Sequence, residues 1–219
     1  MPQKLNEQTL LPDRASLLEQ YRNYRPMMEQ QLHDLYLQLR GHFEATGFSP
    51  TIKYRVKSFD SYYNKLLNAC GKNPQTPPRI DDLLGIRVIC PFLEDLDLIE
   101  RIILNQFDVL EHEHKGESLS FREFGYDSVH LLVRLDDPGR DRPWTVPCCE
   151  IQLRTILQDA WAEVEHELIY KSDIGFPNDS IKRKLASLNA SLALSDLIFQ
   201  EIRDYQKELR RRGIKRRQS

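Results

Sequence analysis

The segment "CCEIQLRT" places Glu150, Gln152 and Arg154 on one side of an extended chain, with Ile151 and Leu153 on the other. A carboxylate, an amide and a guanidinium side by side could take part in phosphate chemistry. Three more segments repeat the pattern. "TIKYRVK" sets Lys53, Arg55 and Lys57 against Ile52, Tyr54 and Val56, and "LGIRVIC" contributes Arg87. "GYDSVHLLVRL" sets Tyr126, Ser128 and His130 against Val129, Leu131 and Val133. One such face is ordinary for a strand with a solvated side. Four of them on one wall would form a basic trough with acids at particular points, which suits polyphosphates and a divalent metal ion.

Asp82, in "DDLLGIRV", stands at the entrance to the Arg87 strand. An acid there either closes a turn or holds Mg2+ against phosphate oxygens. With Glu150 it makes a carboxylate pair able to bind one metal and still leave a base. Ser58 is a candidate N-cap for the helix "FDSYYNKLLNAC", with Gly71 as its stop. Ser61 in the first turn and Lys65 one turn on share a face near amides that attract phosphate. Equally, they could be a first-turn residue and a solvated charge. After Thr155, helical spacing groups Trp161, Val164 and Leu168 toward the sheet. Asp159, Glu163, His166 and Tyr170 fall on the opposite side, with Glu165 between.

These side chains need elements to hold them. Residues 14–47 carry apolar residues at three- and four-residue intervals, with Pro26 expected to end one helix or begin the next. "LEDLDLIERIILNQF" reads as an amphipathic helix, "DVLEHEH" as an edge strand, and "GKNPQTPPR" and "DDPGRDRP" as connections. Helical patterns return over residues 156–171 and 179–210. Only one long helix falls cleanly between strands, so the expected fold class is α+β, a mixed sheet flanked by helices. Over 219 residues this implies one domain: N-terminal helices (1–50), a core (51–172), and a C-terminal helix with a basic tail (173–219).

Composition narrows the function classes. Hydrophobic residues at 40% and charged residues at 29% exclude wholesale disorder, and a net charge of −2 means that any affinity for polyanions must come from local clustering. Cys70, Cys90, Cys148 and Cys149 show no zinc or redox spacing, and Cys148-Cys149 reads as two small buried thiols. The start "MPQKLNEQTL" lacks the apolar stretch of a secretory signal and no run spans a membrane, so the expected location is cytoplasmic. The His and Glu residues near His166 lack the second His of a zinc protease motif, and Gly71-Lys72 lacks the glycines of a phosphate loop.

Taken in order, "RVKSFDSYYNKL", "DLLGIRV", "GYDSVH" and "EIQLRTILQDAWAEVEH" resemble the synthetase domain of the RelA/SpoT homologue family, the (p)ppGpp alarmone synthetases. The resemblance covers about Tyr54 to Lys171 and looks like a small, single-domain member. It implies a nucleotidyltransferase-like fold and transfer of the β,γ-pyrophosphate of ATP to the 3′-hydroxyl of GDP or GTP, with Mg2+ as cofactor. By motif position it implies ATP binding by Arg55, Lys57, Ser61, Lys65 and Arg87, with the two arginines around adenine. Asp82 would hold metal, and Glu150 would share the metal and activate the 3′-hydroxyl. Tyr126, Ser128, His130, Gln152, Arg154, Asp159, Glu165 and His166 would form the GDP/GTP side. A homotetramer through the terminal helices is also implied.

Two positions depart from the family pattern: Asp159, where small synthetases often carry Asn, and Asp127 after the Gly-Tyr pair. They leave the acceptor open. Relatives of this shape include toxins that pyrophosphorylate adenine nucleotides or tRNA 3′ ends, and a non-catalytic nucleotide or RNA binder is a further alternative. The tail "RRRGIKRRQS" suits RNA contact by charge, against the simpler reading of a solvated, partly disordered end. "HD" occurs only as His33-Asp34 within a helical pattern, so no hydrolase activity is expected.

Overall fold

Alternation of apolar and polar residues produces five strands, and 3.6-residue periodicity produces the helices that cover them. The computed structural model describes residues 13–72, 80, 82–115, 128–135, 148–170 and 179–218. In chain order the elements are α1 (Arg14–Ala45), β1 (Thr51–Val56), α2 (Phe59–Lys72), β2 (Leu84–Cys90), α3 (Leu93–Gln106), β3 (Val109–His114), β4 (Val129–Arg134), β5 (Cys148–Thr155), α4 (Ile156–Glu165), and α5 (Asp179–Gln218). A π-helical turn, His166–Tyr170, follows α4. The turn "DDPGRDRP", most of "GKNPQTPPR", and Tyr126 and Asp127 lie outside the described residues.

The sheet runs β1-β2-β5-β4-β3. β2 and β5 pair in parallel, and every other pair is antiparallel. This is the expected mixed sheet, with β5 at its centre and β3 at its edge. One face carries the fully buried Ile86, Val88, Ile151, Leu153, Leu131 and Val133, against which α1 and α3 pack. Burying each such side chain contributes about 1.5–3 kcal/mol. Cys148 and Cys149 are buried free thiols, as expected, and burial pushes the Cys149 thiol well up.

Pro26 neither ends nor begins a helix. It lies inside α1. The buried residues Leu17, Tyr21, Met28, Leu32, Leu35, Leu39 and Phe43 keep one stripe across it, so packing on the sheet outweighs the lost backbone hydrogen bond. Gly71 likewise lies within α2, one residue short of its end. α5 continues through Gln218, into the basic tail, where Arg and Lys are good helix formers.

The junction of β5 and α4 is built from buried polar groups. The Thr155 hydroxyl accepts from the Gln158 amide at 3.1 Å, while the Gln158 side chain accepts from the Thr155 amide at 2.8 Å, a reciprocal cap. The same hydroxyl donates to Asp196 of α5 at 2.7 Å. Thr155→Val keeps the shape but strips both bonds and deprives a buried carboxylate of a donor. It should cost roughly 2–4 kcal/mol in urea unfolding, with Thr155→Ser close to the parent. Equal stability of Thr155→Val would show the network to be idle.

Candidate active site

Residues opposite one another in a ladder share a face, so register decides which side chains meet. Two rows cross the polar face. Lys53, Arg87, Gln152, His130 and Glu113 form one, and Arg55, Gly85, Glu150, Leu132 and Glu111 the other. The described residues of all four polar faces seen in the sequence therefore lie on one wall. Gly85 leaves a gap in that wall between Arg55 and Glu150.

Asp82 enters this wall just before β2. Its Oδ2 accepts from Lys57 Nζ at 2.5 Å and from Lys65 Nζ at 2.7 Å, so one carboxylate oxygen gathers a lysine from the end of β1 and another from α2. α2 is aimed for this by Ser58. The Ser58 hydroxyl accepts from the Ser61 amide at 3.3 Å, and the Ser61 and Ser58 hydroxyls are 2.9 Å apart. Tyr21 of α1 braces the turn by donating to the Lys57 carbonyl at 2.7 Å. Burial alone would raise the Asp82 carboxyl, but the two lysines outweigh it and hold it below its usual range. Asp82 Oδ1 is buried and has no hydrogen-bond partner among the described residues.

Glu150 stands in the central strand. Its Oε1 is 2.8 Å from His130 Nδ1, and its Oε2 accepts from Gln152 Nε2 at 2.9 Å. Ser128 Oγ lies 3.0 Å from His130 Nε2, which completes a chain Ser128–His130–Glu150. With the proton on Nδ1, His130 donates to Glu150 and accepts from Ser128. Burial would raise the Glu150 carboxyl; His130, Gln152 and Lys115 together bring it below its usual value instead. Asp82 and Glu150 are therefore both charged at neutral pH. The stability they add is present above the unfolded-state carboxylate pKa and is lost as pH falls through their lowered folded values.

At the other end of the wall, Arg87 Nη1 donates to Asp159 at 2.7 Å and also to Glu163. Lys53 reaches Asp159 at 2.9 Å. Arg154 is buried, which depresses its guanidinium, as does the charge of Arg87; its Nη1 lies 4.0 Å from Asp159 without a hydrogen bond. Glu165 is half-buried, and its carboxyl is pushed up by burial despite the nearby Arg154. Here the helical-wheel expectation holds for Trp161 and fails for the rest. α4 buries Gln158, Asp159 and Trp161, whereas Val164, and Leu168 in the π-helical turn, are exposed, and Asp159 faces the sheet. The reason is physical: α4 lies toward the polar wall, so the side chains turned toward it include an acid that meets cations.

Two cavities open on the wall. The first is lined by Lys53, Tyr54, Arg55, Lys57, Asp82, Gly85, Ile86, Arg87, Glu150, Gln152 and Glu163. The second is lined by Lys65, Asp82, Glu111, Glu113, Lys115, His130, Leu131, Leu132 and Glu150. Asp82 and Glu150 belong to both, and so mark the boundary between them. Ser128, Arg154 and Asp159 join through hydrogen bonds or charge, whereas Ser61, Glu165 and His166 line neither cavity. Sequence reasoning passed over Gly85, Glu163, Glu111, Glu113 and Lys115. The glycine inside a strand was a readable signal for close approach, and the "LEHEH" alternation was another.

The first cavity gathers Lys53, Arg55, Lys57 and Arg87, the second adds Lys65 and Lys115 among four carboxylates, and at their boundary stand two carboxylates charged at neutral pH. Such a wall can hold phosphates and a divalent metal ion. Comparison with known proteins agrees. Residues 54–175 match the region found in RelA / SpoT proteins. GTP pyrophosphokinase YwaC of Bacillus subtilis is 30% identical over 159 residues, 72% of this chain and 73% of that protein. The small alarmone synthetase 2 of Bacillus subtilis superposes with a TM-score of 0.70 at 26% identity, covering 84% of this chain and 98% of the other. The small alarmone synthetase 1 of the same organism, solved with its product pppGpp, gives 0.70 at 22% identity, covering 86% and 99%. This chain belongs to the RelA/SpoT family.

Proposed function

We infer that the chain is a GTP diphosphokinase: it transfers the β,γ-pyrophosphate of ATP to the 3′-hydroxyl of GDP or GTP, giving ppGpp or pppGpp and releasing AMP. Family membership and the GTP pyrophosphokinase relative support this reading. The observation that carries it is the pair of cavities sharing Asp82 and Glu150, because transfer between two nucleotides needs two beds and one meeting point.

In this reading the first cavity takes ATP. Arg55 and Arg87 bracket adenine, Arg87 being steadied by Asp159 and Glu163. Lys57 of the first cavity and Lys65 of the second, joined through Asp82, neutralise the phosphates where the two cavities meet, helped by Ser61 at the start of α2. The second cavity takes the acceptor, with His130 at its phosphates and Ser128 hydrogen-bonded to His130. Gln152, grouped with the acceptor by motif position, lines the first cavity and reaches the second through Glu150. Tyr126, Arg154, Glu165 and His166 complete that side by motif position. Asp159 belongs with the acceptor by motif position, and its ion pairs with Arg87 and Lys53 support a second contribution, steadying cations that line the first cavity.

Asp82 Oδ1, buried and unpartnered, fits a Mg2+ ligand, and Glu150 supplies a second hard oxygen. When bound there, Mg2+ would neutralise phosphate charge and make AMP a better leaving group. Glu150 takes the proton of the 3′-hydroxyl as that oxygen attacks the β-phosphorus, and His130 steadies the carboxylate in position. The lysines on Asp82 lower the repulsion between two polyanions.

Gly85 tests the assignment of the first cavity. A Cβ there meets nothing closer than the Arg55 carbonyl at 4.0 Å, so Gly85→Ala should fold and work. Gly85→Leu sends a branched side chain into the cavity floor, and the KM for ATP should rise on the order of 100-fold, equivalent to about 2.7 kcal/mol. An unchanged KM would move ATP elsewhere. The function itself is tested by offering labelled ATP with GDP, GTP, ADP or tRNA. Label should enter the guanine nucleotides; label in ADP or tRNA would support the toxin-type reading instead.

Exposed apolar residues on α5, Leu194, Ile198, Ile202, Tyr205 and Leu209, recur at three- and four-residue spacing, and Val164 and Leu168 are also exposed. Such a stripe supports a homo-oligomer, a tetramer by resemblance. Among the described residues no helix is long and apolar enough to cross a membrane.

A further inference from the structure

The glutamates of "VLEHEH" face the phosphate-binding wall, but the histidines between them do not. In the register of β3 with β4, Glu113 stands opposite His130, whereas His112 and His114 stand opposite Leu131 and Val129 on the core side. There they meet Glu100 of α3. Glu100 Oε1 lies 2.7 Å from His112 Nε2 and 3.2 Å from His114 Nε2. The two rings are 5.0 Å apart and set edge to face.

We propose that Glu100, His112 and His114 form a binding site for a divalent transition-metal ion of the Zn2+ class, separate from the nucleotide site. All three donor atoms lie within 4.8 Å of one another. Zinc with nitrogen and oxygen ligands at about 2.0–2.2 Å in a tetrahedron holds its donors about 3.3–3.6 Å apart, a spacing these side chains reach by small rotations. Both histidines aim the same ring nitrogen at one carboxylate oxygen, and a cation at that focus replaces the two N–H protons. Glu100 is 14% exposed and the imidazoles about a third, so water can fill the fourth position. The donors also sort the metals. Two imidazoles and one carboxylate favour Zn2+ over Mg2+, whereas Asp82 and Glu150 offer oxygen alone.

The location gives the site a consequence. Among the described residues β3 is an edge strand, paired with β4 alone. Its alternate residues Glu111 and Glu113 line the second cavity. A metal joining α3 to β3 fixes the back of the strand whose front borders the acceptor cavity.

The test uses the full chain, stripped with a chelator and titrated with Zn2+ and Co2+. One equivalent of Zn2+ should bind and raise Tm, and the Co2+ complex should show tetrahedral absorption without a thiolate charge-transfer band. Doubly substituted His112→Ala/His114→Ala should lose that equivalent and keep Mg2+-dependent synthesis. Glu100→Gln provides a milder variant should the double one fail to fold. Its affinity for Zn2+ should fall by more than the roughly 10–100-fold that loss of a supporting residue costs. Zn2+ binding that is absent from the parent chain, unchanged in either variant, or marked by thiolate absorption would overturn the proposal.

Discussion

Glu150→Gln should lower kcat by about 100- to 10,000-fold while leaving ATP and GDP binding within a few-fold, because it removes the proton acceptor and keeps the shape. Glu150 is held on both oxygens, by His130 at 2.8 Å and Gln152 at 2.9 Å, so the amide enters a site already built around its outline. Its carboxyl sits below the usual range, which makes it a weak base in the free protein. In the proposed mechanism proton transfer would depend on the anionic acceptor, whose phosphates would raise the carboxyl as they approach. Equilibrium binding of a non-hydrolysable ATP analogue, measured beside single-turnover rates, separates the two effects. Full activity in the Gln variant would remove Glu150 from the chemistry. Weakened binding with unchanged single-turnover chemistry would make it a binding residue.

Asp82→Asn should be nearly as damaging for a different reason. The carboxylate accepts from Lys57 and Lys65 through one oxygen and leaves the other buried, with no partner among the described residues. Neutralising it removes the proposed metal ligand and unbalances two lysines, and kcat/KM at fixed Mg2+ should fall about 100- to 1,000-fold. The signature is the metal dependence: the Mg2+ concentration for half-maximal rate should rise, with partial recovery at high Mg2+ or Mn2+. A fall in rate that no metal concentration relieves would assign Asp82 to holding the lysines alone. Since the lysines keep Asp82 ionised below the ordinary carboxylate range, the acid limb of its contribution to kcat/KM should also lie below that range. Lys57→Ala or Lys65→Ala should move the limb toward neutral pH.

Alternation is a local property, and that is why the strands could be read from the sequence. "TIKYRVK", "LGIRVIC" and "CCEIQLRT" each state which side chains share a face, and the observed strands follow them closely. What alternation cannot state is register. Whether Arg87 meets Gln152 or Glu150 depends on how β2 slides along β5, so the Asp82–lysine clamp and the two-cavity layout emerged only in three dimensions. In α4 apolar spacing alone does not predict which face turns in: Trp161 does, but over a polar wall Asp159 turns in with it while Val164 and Leu168 turn out. At Pro26 the local backbone preference predicts a helix boundary, and the long apolar stripe carries α1 past it.

The Asp159 position shows how far motif matching reaches. By resemblance it belongs with the acceptor, yet its carboxylate is engaged by Arg87 and Lys53. An acid at this point braces two cations of the first cavity, which an amide could do only without charge. The departure from Asn thus changes the electrostatics around the first cavity.

Pyrophosphate transfer between the two cavities is measured most directly with ATP labelled at its β-phosphate and GDP as acceptor. The expected result is AMP without label and a guanosine product carrying it at the 3′ position, formed one for one and lost in Glu150→Gln. Labelled ADP as the main product, with no label on the guanine nucleotide, would contradict the account.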